Sequence, residues 1–120
     1  MILVDTDALI ECIRSGRRIG DAISVVTLLE YLRGVPAEKR ALVKELLEEA
    51  FDVVWLDNEV ILKYCELYDS LRGRGELIGD ADLLIGATAI AKGFRLYTRN
   101  MSHFSRLKDY GLVLYEEEEE

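Results

Sequence analysis

Ile2-Leu3-Val4-Asp5-Thr6-Asp7-Ala8-Leu9-Ile10 begins with three apolar residues, stops at a carboxylate and passes at once into a helical pattern. A short, unbroken apolar run is how a parallel strand covered on both faces reads. The helix expected from Asp7 to Arg14 turns Ala8, Ile10, Cys12 and Ile13 inward and stops at Ser15-Gly16. A strand feeding directly into a helix is the first half of a βαβ unit.

The same alternation continues outward from this stretch. Ala22 to Val26 reads as a second apolar strand, and Thr27 as the cap of the next helix, with Glu30 in capping-box spacing and Gly34 at the end. Pro36 opens a helix that runs from Ala37 to Ala50 with Leu42, Val43, Leu46 and Leu47 at helical spacing. Val53 to Leu56 is a short extended segment. Asp57 caps a long helix whose expected inner face is Ile61, Tyr64, Cys65, Tyr68 and Leu71, stopped at Gly73. Asp80 to Lys92 is a helix rich in small residues closed by Gly93, with Gly86, Ala87, Ala89 and Ala91 permitting close packing. Arg95 to Thr98, a short helix from Ser102 to Tyr110, and Leu112 to Tyr115 complete the pattern. Strands separated by helices predict an α/β fold with a parallel sheet and helices on both faces.

Composition sets the outer limits. Half of the 120 residues are hydrophobic, enough for one continuous core, and the length suits a single domain over residues 1–115. Five of the eight net negative charges sit in Glu116–Glu120, which reads as a solvated acidic tail. The body therefore carries only three, and net charge does not argue against a nucleic-acid partner. No apolar run reaches a membrane span, and the opening residues turn acidic too early for a secretory signal. Cys12 and Cys65 each stand alone in apolar, helix-like surroundings, which predicts buried reduced thiols and a cytosolic protein.

Ligands of open parallel sheets bind beyond the carboxyl ends of the strands. Asp5 ends the first strand and Asn100 follows the strand Arg95–Thr98 at the same edge. Glu30 lies on the helix after the second strand, and Asp80 and Asp82 stand at the start of the small-residue helix. Each acid also has an ordinary explanation: Glu30 as capping-box partner, Asp80 as a cap, Asp7 as a favourable first-turn charge. Their combination at one edge is what suggests a site. Carboxylates gathered together repel unless a cation neutralises them, and an all-oxygen donor set suits Mg²⁺ or Mn²⁺ rather than Zn²⁺.

These residues resemble the PIN-domain nucleases, in particular the VapC toxins of toxin–antitoxin pairs. The matching pieces are Ile2-Leu-Val-Asp5-Thr6, Ser24-Val-Val-Thr27-Leu-Leu-Glu30-Tyr-Leu-Arg-Gly34, Asp80-Ala-Asp82-Leu-Leu-Ile-Gly-Ala-Thr-Ala and Leu96-Tyr-Thr98-Arg-Asn100-Met-Ser-His103-Phe104. They span nearly the whole chain in the family's order. The resemblance implies a three-layer α/β/α sandwich with a central parallel sheet, a homodimer, and metal-dependent cleavage of RNA. It implies that Asp5, Glu30 and Asp82 gather the metal and that the Thr6 and Thr98 hydroxyls support them. It also implies a VapB-like antitoxin that inserts an arginine into the acidic pocket. The chain departs from the family at Asn100 and His103, where the fourth acid usually falls. Asn100 still offers a carbonyl oxygen, Asp80 a further charge, and His103 beside Phe104 reads as structural.

A cleft of carboxylates needs cations nearby to admit a polyanion. Arg14, Arg17, Arg18, Arg72, Arg74 and Arg99 are the candidates close to loops, with Arg14, Arg72 and Arg99 foremost as RNA contacts. Two other classes share parts of the pattern. A haloacid-dehalogenase-like phosphatase would use Asp5 as nucleophile, but no convincing strand-end Ser/Thr and lysine pair stands between the motifs. A receiver-like domain would use Asp57 as phosphoacceptor, but Thr98-Arg99 stands where it requires a lysine. A non-catalytic PIN fold that binds RNA or a partner is the third alternative.

Overall fold

The computed structural model describes residues 1–116, so the expected acidic tail lies outside the described residues from position 117 onward. Among the described residues, β1 (Ile2–Val4), β2 (Ala22–Ser24), β3 (Asp52–Val54), β4 (Arg95–Tyr97) and β5 (Val113–Leu114) form one sheet, all parallel, in the order β3-β2-β1-β4-β5. The helices are α1 (Thr6–Ser15), α2 (Val25–Arg33), α3 (Arg40–Ala50), α4 (Asn58–Gly73), α5 (Asp80–Lys92) and α6 (Met101–Phe104), with 3₁₀ turns at Ala37–Lys39 and Ser105–Tyr110.

Both faces of the sheet are covered. Leu3, Ala22 and Leu96 belong to a core with Leu67 and Leu71 of α4, Leu83 and Ile85 of α5, and Phe104 and Leu107. The next residues along β1 and β2, Val4 and Ile23, join Ala8, Leu9, Leu28, Leu47 and Phe51 on the other side. This period-two division is why the opening strand reads as an unbroken apolar run. It produces the expected α/β/α sandwich.

The chain winds from β1 outward to β3, then returns so that β4 pairs with the free side of β1. The order reverses between β1 and β4, and their carboxyl ends form the topological switch point where such folds bind ligands.

Several boundaries and faces differ from the sequence reading. Val25 and Val26 are helical, because the Ser24 hydroxyl accepts from the Val26 N–H at 3.0 Å and caps α2 one turn earlier than Thr27 would. Burial of both valines outweighs their strand propensity. Thr27 is fully buried instead and makes no capping box with Glu30. Residues 37–39 are a 3₁₀ turn, so α3 starts at Arg40. The buried residues of α4 are Val60, Leu67 and Leu71, flanked by the half-buried Tyr64 and Tyr68. Ile61 and Cys65 are therefore exposed, and only Cys12 of the two thiols is buried. Ile10 and Ile13 of α1 also face outward.

Gly20 leads the chain into β2 at φ +98°, beside an Asp21 whose N–H and carboxylate both bond the backbone of Ile2. A Cβ there would lie 2.3 Å from Val4 Cγ2 and 3.3 Å from the Ile2 carbonyl oxygen. Gly20→Ala should therefore lower stability by about 2–3 kcal/mol in urea unfolding. Gly16→Ala, at φ +69° in open space, should lose only about 1 kcal/mol. Equal losses would mean that the contact with Val4 contributes nothing.

Candidate functional site

Asp5 is where the cleft begins. It is 3% exposed and caps α1, its Oδ1 accepting from the Ala8 N–H at 2.9 Å. This capping role differs from the sequence expectation of a helix from Asp7, because α1 starts at Thr6. Its Oδ2 accepts from the hydroxyl of Thr98, directly after β4. The Thr98 oxygen in turn accepts from the Asn100 N–H at 2.9 Å, which orients the hydroxyl toward the carboxylate. Period-two alternation makes this possible: Tyr97 turns to the α1 face and Thr98 to Asp5.

Glu30 is brought in by α2. Its Oε1 accepts from the Thr6 hydroxyl at 2.6 Å, and that hydroxyl lies 3.3 Å from the Thr27 hydroxyl. Its Oε2 stands 3.6 Å from Arg33 Nη2. Because Thr27 is not the cap, Glu30 is left free to face the cleft.

Asp82 comes from the first turn of α5, where Gly79 supplies the cap position and makes no demand on side-chain oxygens. Its Oδ2 lies 3.1 Å from His103 Nδ1, which also stands 3.0 Å from the Asn100 side-chain amide. With its proton on Nδ1 the imidazole donates to Asp82, and with Nδ1 bare it accepts from the Asn100 side-chain N–H. Gly86, one turn beyond Asp82, brings this histidine close. A Cβ there would meet Leu107 Cδ1 at 2.3 Å, so the 101–110 segment packs closely against the helix at this glycine and Leu107 would have to shift for any larger residue.

Asp5, Thr6, Asp7, Ile10, Glu30, Arg33 and Asp82 together line a cleft of about 280 Å³. Burial pushes the Asp5 carboxyl up from the ordinary 3.8 to about 6; Thr98 and the Ala8 N–H pull it down, while Asp7 and Asp82 raise it further. Asp82 is also raised, first by burial, with His103 opposing and Glu30 and Asp7 adding.

The structure thus brings Asp5, Glu30 and Asp82 together with Thr6 and Thr98, and attaches Asn100 and His103 behind Asp82. It does not bring in Asp80, whose carboxylate is exposed and accepts from the Tyr64 hydroxyl at 2.8 Å, on the α4 side of the helix. Asp80 and Asp82 are two residues apart on a helix and cannot share a face. Asp57 is also elsewhere: it caps α4 and pairs with Lys92, at the opposite end of α5 from Asp82. Asp7 and Arg33 line the cleft without having been singled out. For Asp7 the signal was its place in the first turn of the helix that Asp5 caps; for Arg33 it was i,i+3 spacing from Glu30. Arg14 and Arg72 are exposed in the last turns of α1 and α4 and line neither this cleft nor its neighbour. Arg99 lines that neighbouring cavity, with Arg17, Ser15 and Tyr97.

Among the described residues, no three His, Cys, Asp or Glu side chains converge closely enough to enclose an ion. The donor set nevertheless fits a hydrated Mg²⁺, which keeps several waters and needs only one or two carboxylates. Four cleft carboxylates face one arginine, and two of them are raised by repulsion as well as burial, so added positive charge is favoured there.

The raised Asp5 carboxyl makes metal-free stability depend on pH. Folded Asp5 holds its proton more tightly than unfolded Asp5, so its penalty is absent below about pH 4, grows as pH rises, and is complete above about pH 6. In EDTA the wild type should lose up to about 3 kcal/mol across that window. Asp5→Asn should remove most of this slope in urea titrations; an unchanged slope would assign the proton to another group.

The PIN domain family model matches residues 2–109. Ribonuclease VapC1 of Methanocaldococcus jannaschii is 43% identical over 119 residues, 96% of this chain and 87% of that protein. Ribonuclease VapC2 of Rickettsia felis is 34% identical, covering 72% of this chain and 67% of that one. Among solved structures, VapBC-1 from nontypeable Haemophilus influenzae contains a chain of 25% identity and TM-score 0.80, covering 97% of this chain and 98% of that chain. The DNA-bound VapBC of Salmonella typhimurium is similar in fold, with TM-score 0.80 at 22% identity over 95% and 96% of the two chains. With the family model matching nearly the whole length and a relative 43% identical over 96% of the chain, the chain belongs to the PIN domain family.

Proposed function

We propose that the chain is a divalent-metal-dependent endoribonuclease, the toxin of a toxin–antitoxin pair, acting through the cleft at Asp5. The observation that carries this reading is the buried Asp5 at the β1/β4 switch point, held by Thr98 and ringed by Asp7, Glu30 and Asp82. The relatives named ribonucleases, and the neighbours solved as VapBC complexes, support the reaction class and the partner.

Mg²⁺ or Mn²⁺, when bound, supplies a water of lowered pKa and positive charge at the phosphate under attack. Asp5, Asp82 and Glu30 are the residues that would hold it. Each is kept in place by a neighbour: Asp5 by the Thr98 hydroxyl and Ala8 N–H, Glu30 by the Thr6 hydroxyl, Asp82 by His103. Such supporting hydrogen bonds fix ligand orientation and are worth about 10–100-fold in affinity or activity. Asn100 adds no charge to the four cleft carboxylates, and it acts by orienting His103 and Thr98. Arg33, beside Glu30 on the wall, is placed to meet a phosphate of the substrate.

The partner is a VapB-like antitoxin that blocks the cleft with a cationic side chain, which four carboxylates would attract. A homodimer belongs to the same reading, and Trp55, Ile61 and Leu62 are exposed apolar residues available to an interface.

Purified protein with Mg²⁺ or Mn²⁺ should cleave single-stranded or structured RNA, and EDTA should abolish the cleavage. Asp5→Asn should reduce the rate at least about 100-fold, and Thr98→Val about 10–100-fold. Wild-type and Asp5→Asn proteins of equal activity would sink the assignment.

A further inference from the structure

Asp7 is the one cleft carboxylate that no neighbour holds. It lines the cleft with Asp5, Glu30 and Asp82, from the first turn of α1. Both oxygens of Asp5 accept hydrogen bonds, Glu30 accepts from Thr6 and stands beside Arg33, and Asp82 Oδ2 meets His103. Asp7 is exposed, and among the described residues no hydrogen bond or ion pair engages its carboxylate.

The needs of α1 do not account for this placement. A helix dipole favours an acid in the first turn. Asp5 already caps this helix, however, and the charge of Asp7 bears on both Asp5 and Asp82. The gain to the helix is therefore set against repulsion inside the cleft, until a cation enters.

A hydrated cation changes that balance. Mg²⁺ keeps several waters when one or two carboxylates bind it, and each retained water presents hydrogens that need acceptors. The unengaged carboxylate oxygens of the cleft are the two of Asp7 and Oδ1 of Asp82. Among the described residues, no three acidic side chains converge closely enough to enclose an ion, so a further acid on the wall acts across the water shell.

We propose that Asp7 positions the hydrated divalent ion from outside, its free oxygens accepting from waters that the ion retains. It adds charge and directed acceptors on the α1 side of the cleft, opposite no arginine of its own. The inference rests on the metal-dependent reading of the cleft, but its test needs no RNA cleavage.

The test is Mn²⁺ titration of the metal-free protein, read from the electron paramagnetic resonance of the free ion. Hexaamminecobalt(III), whose ammonia ligands do not exchange, serves as a competitor that can bind only through contacts outside those ligands. Asp7→Asn should weaken Mn²⁺ binding about tenfold and weaken the competitor by a similar factor. Asp7→Glu, which keeps the charge and two free oxygens, should recover most of both losses. Asp80→Asn, whose carboxylate accepts from Tyr64 on the α4 side of its helix, should change neither. Unchanged Mn²⁺ affinity in Asp7→Asn, or an equal loss in Asp80→Asn, would overturn the role. So would a loss of Mn²⁺ without a loss of the competitor, which would make Asp7 a direct ligand, or a failure of Asp7→Glu to recover binding. Wild type that holds Mn²⁺ as described but cleaves no RNA would count against the ribonuclease reading alone. An active ribonuclease whose Asp7→Asn variant binds both ions normally would count against Asp7 alone.

Discussion

The hydrogen bond from the Thr98 hydroxyl to Asp5 ties together the two strands between which the sheet reverses its order. Every other feature of the cleft is referred to it. Asp5 is at once the end of β1, the cap of α1 and the acceptor of Thr98, so one side chain sets where the first helix starts and where β4 ends relative to β1. The carboxylate is buried beside Asp7 and Asp82, and this arrangement raises its pKa and costs stability in the metal-free protein. A fold keeps such a group where chemistry needs it, since a threonine or asparagine would cap α1 without that cost.

The opposite wall depends on packing rather than on hydrogen bonding. Gly86 admits Leu107 and Phe104 against α5, and that contact brings His103 to Asp82. Asn100 then joins His103 to the Thr98 loop. The cleft is consequently supported from three elements, and its negative charge is concentrated on Asp5, Asp7, Glu30 and Asp82.

Much of this was legible before any coordinates. The apolar triplet before Asp5, the capped helices and the small-residue stretch after Asp82 carry local signals whose physical causes are short-range. The structure departs from the local signals where burial decides between alternatives. Val25 and Val26 have strand propensity but extend α2, because Ser24 caps it and the core takes both side chains. That shift turned Thr27 inward and released Glu30 from a capping box. Tyr64 and Cys65 looked alike on the expected face of α4, yet only the tyrosine packs against the core.

The sequence by itself determined the class of fold, the carboxylate at the end of the first strand and the residue types available to a site, because periodicity, capping and strand-end position are local properties. Tertiary structure decided which of those residues share the cleft. Asp80 and Asp82 are nearly adjacent in the chain, but a helix turns successive side chains through about 100°, so one faces Tyr64 and the other His103. Thr98 and Asp5 are ninety-three positions apart and touch only because β4 returns to the free side of β1. Asp5 was visible as a candidate from the start; its partners were set by the reversal of the sheet.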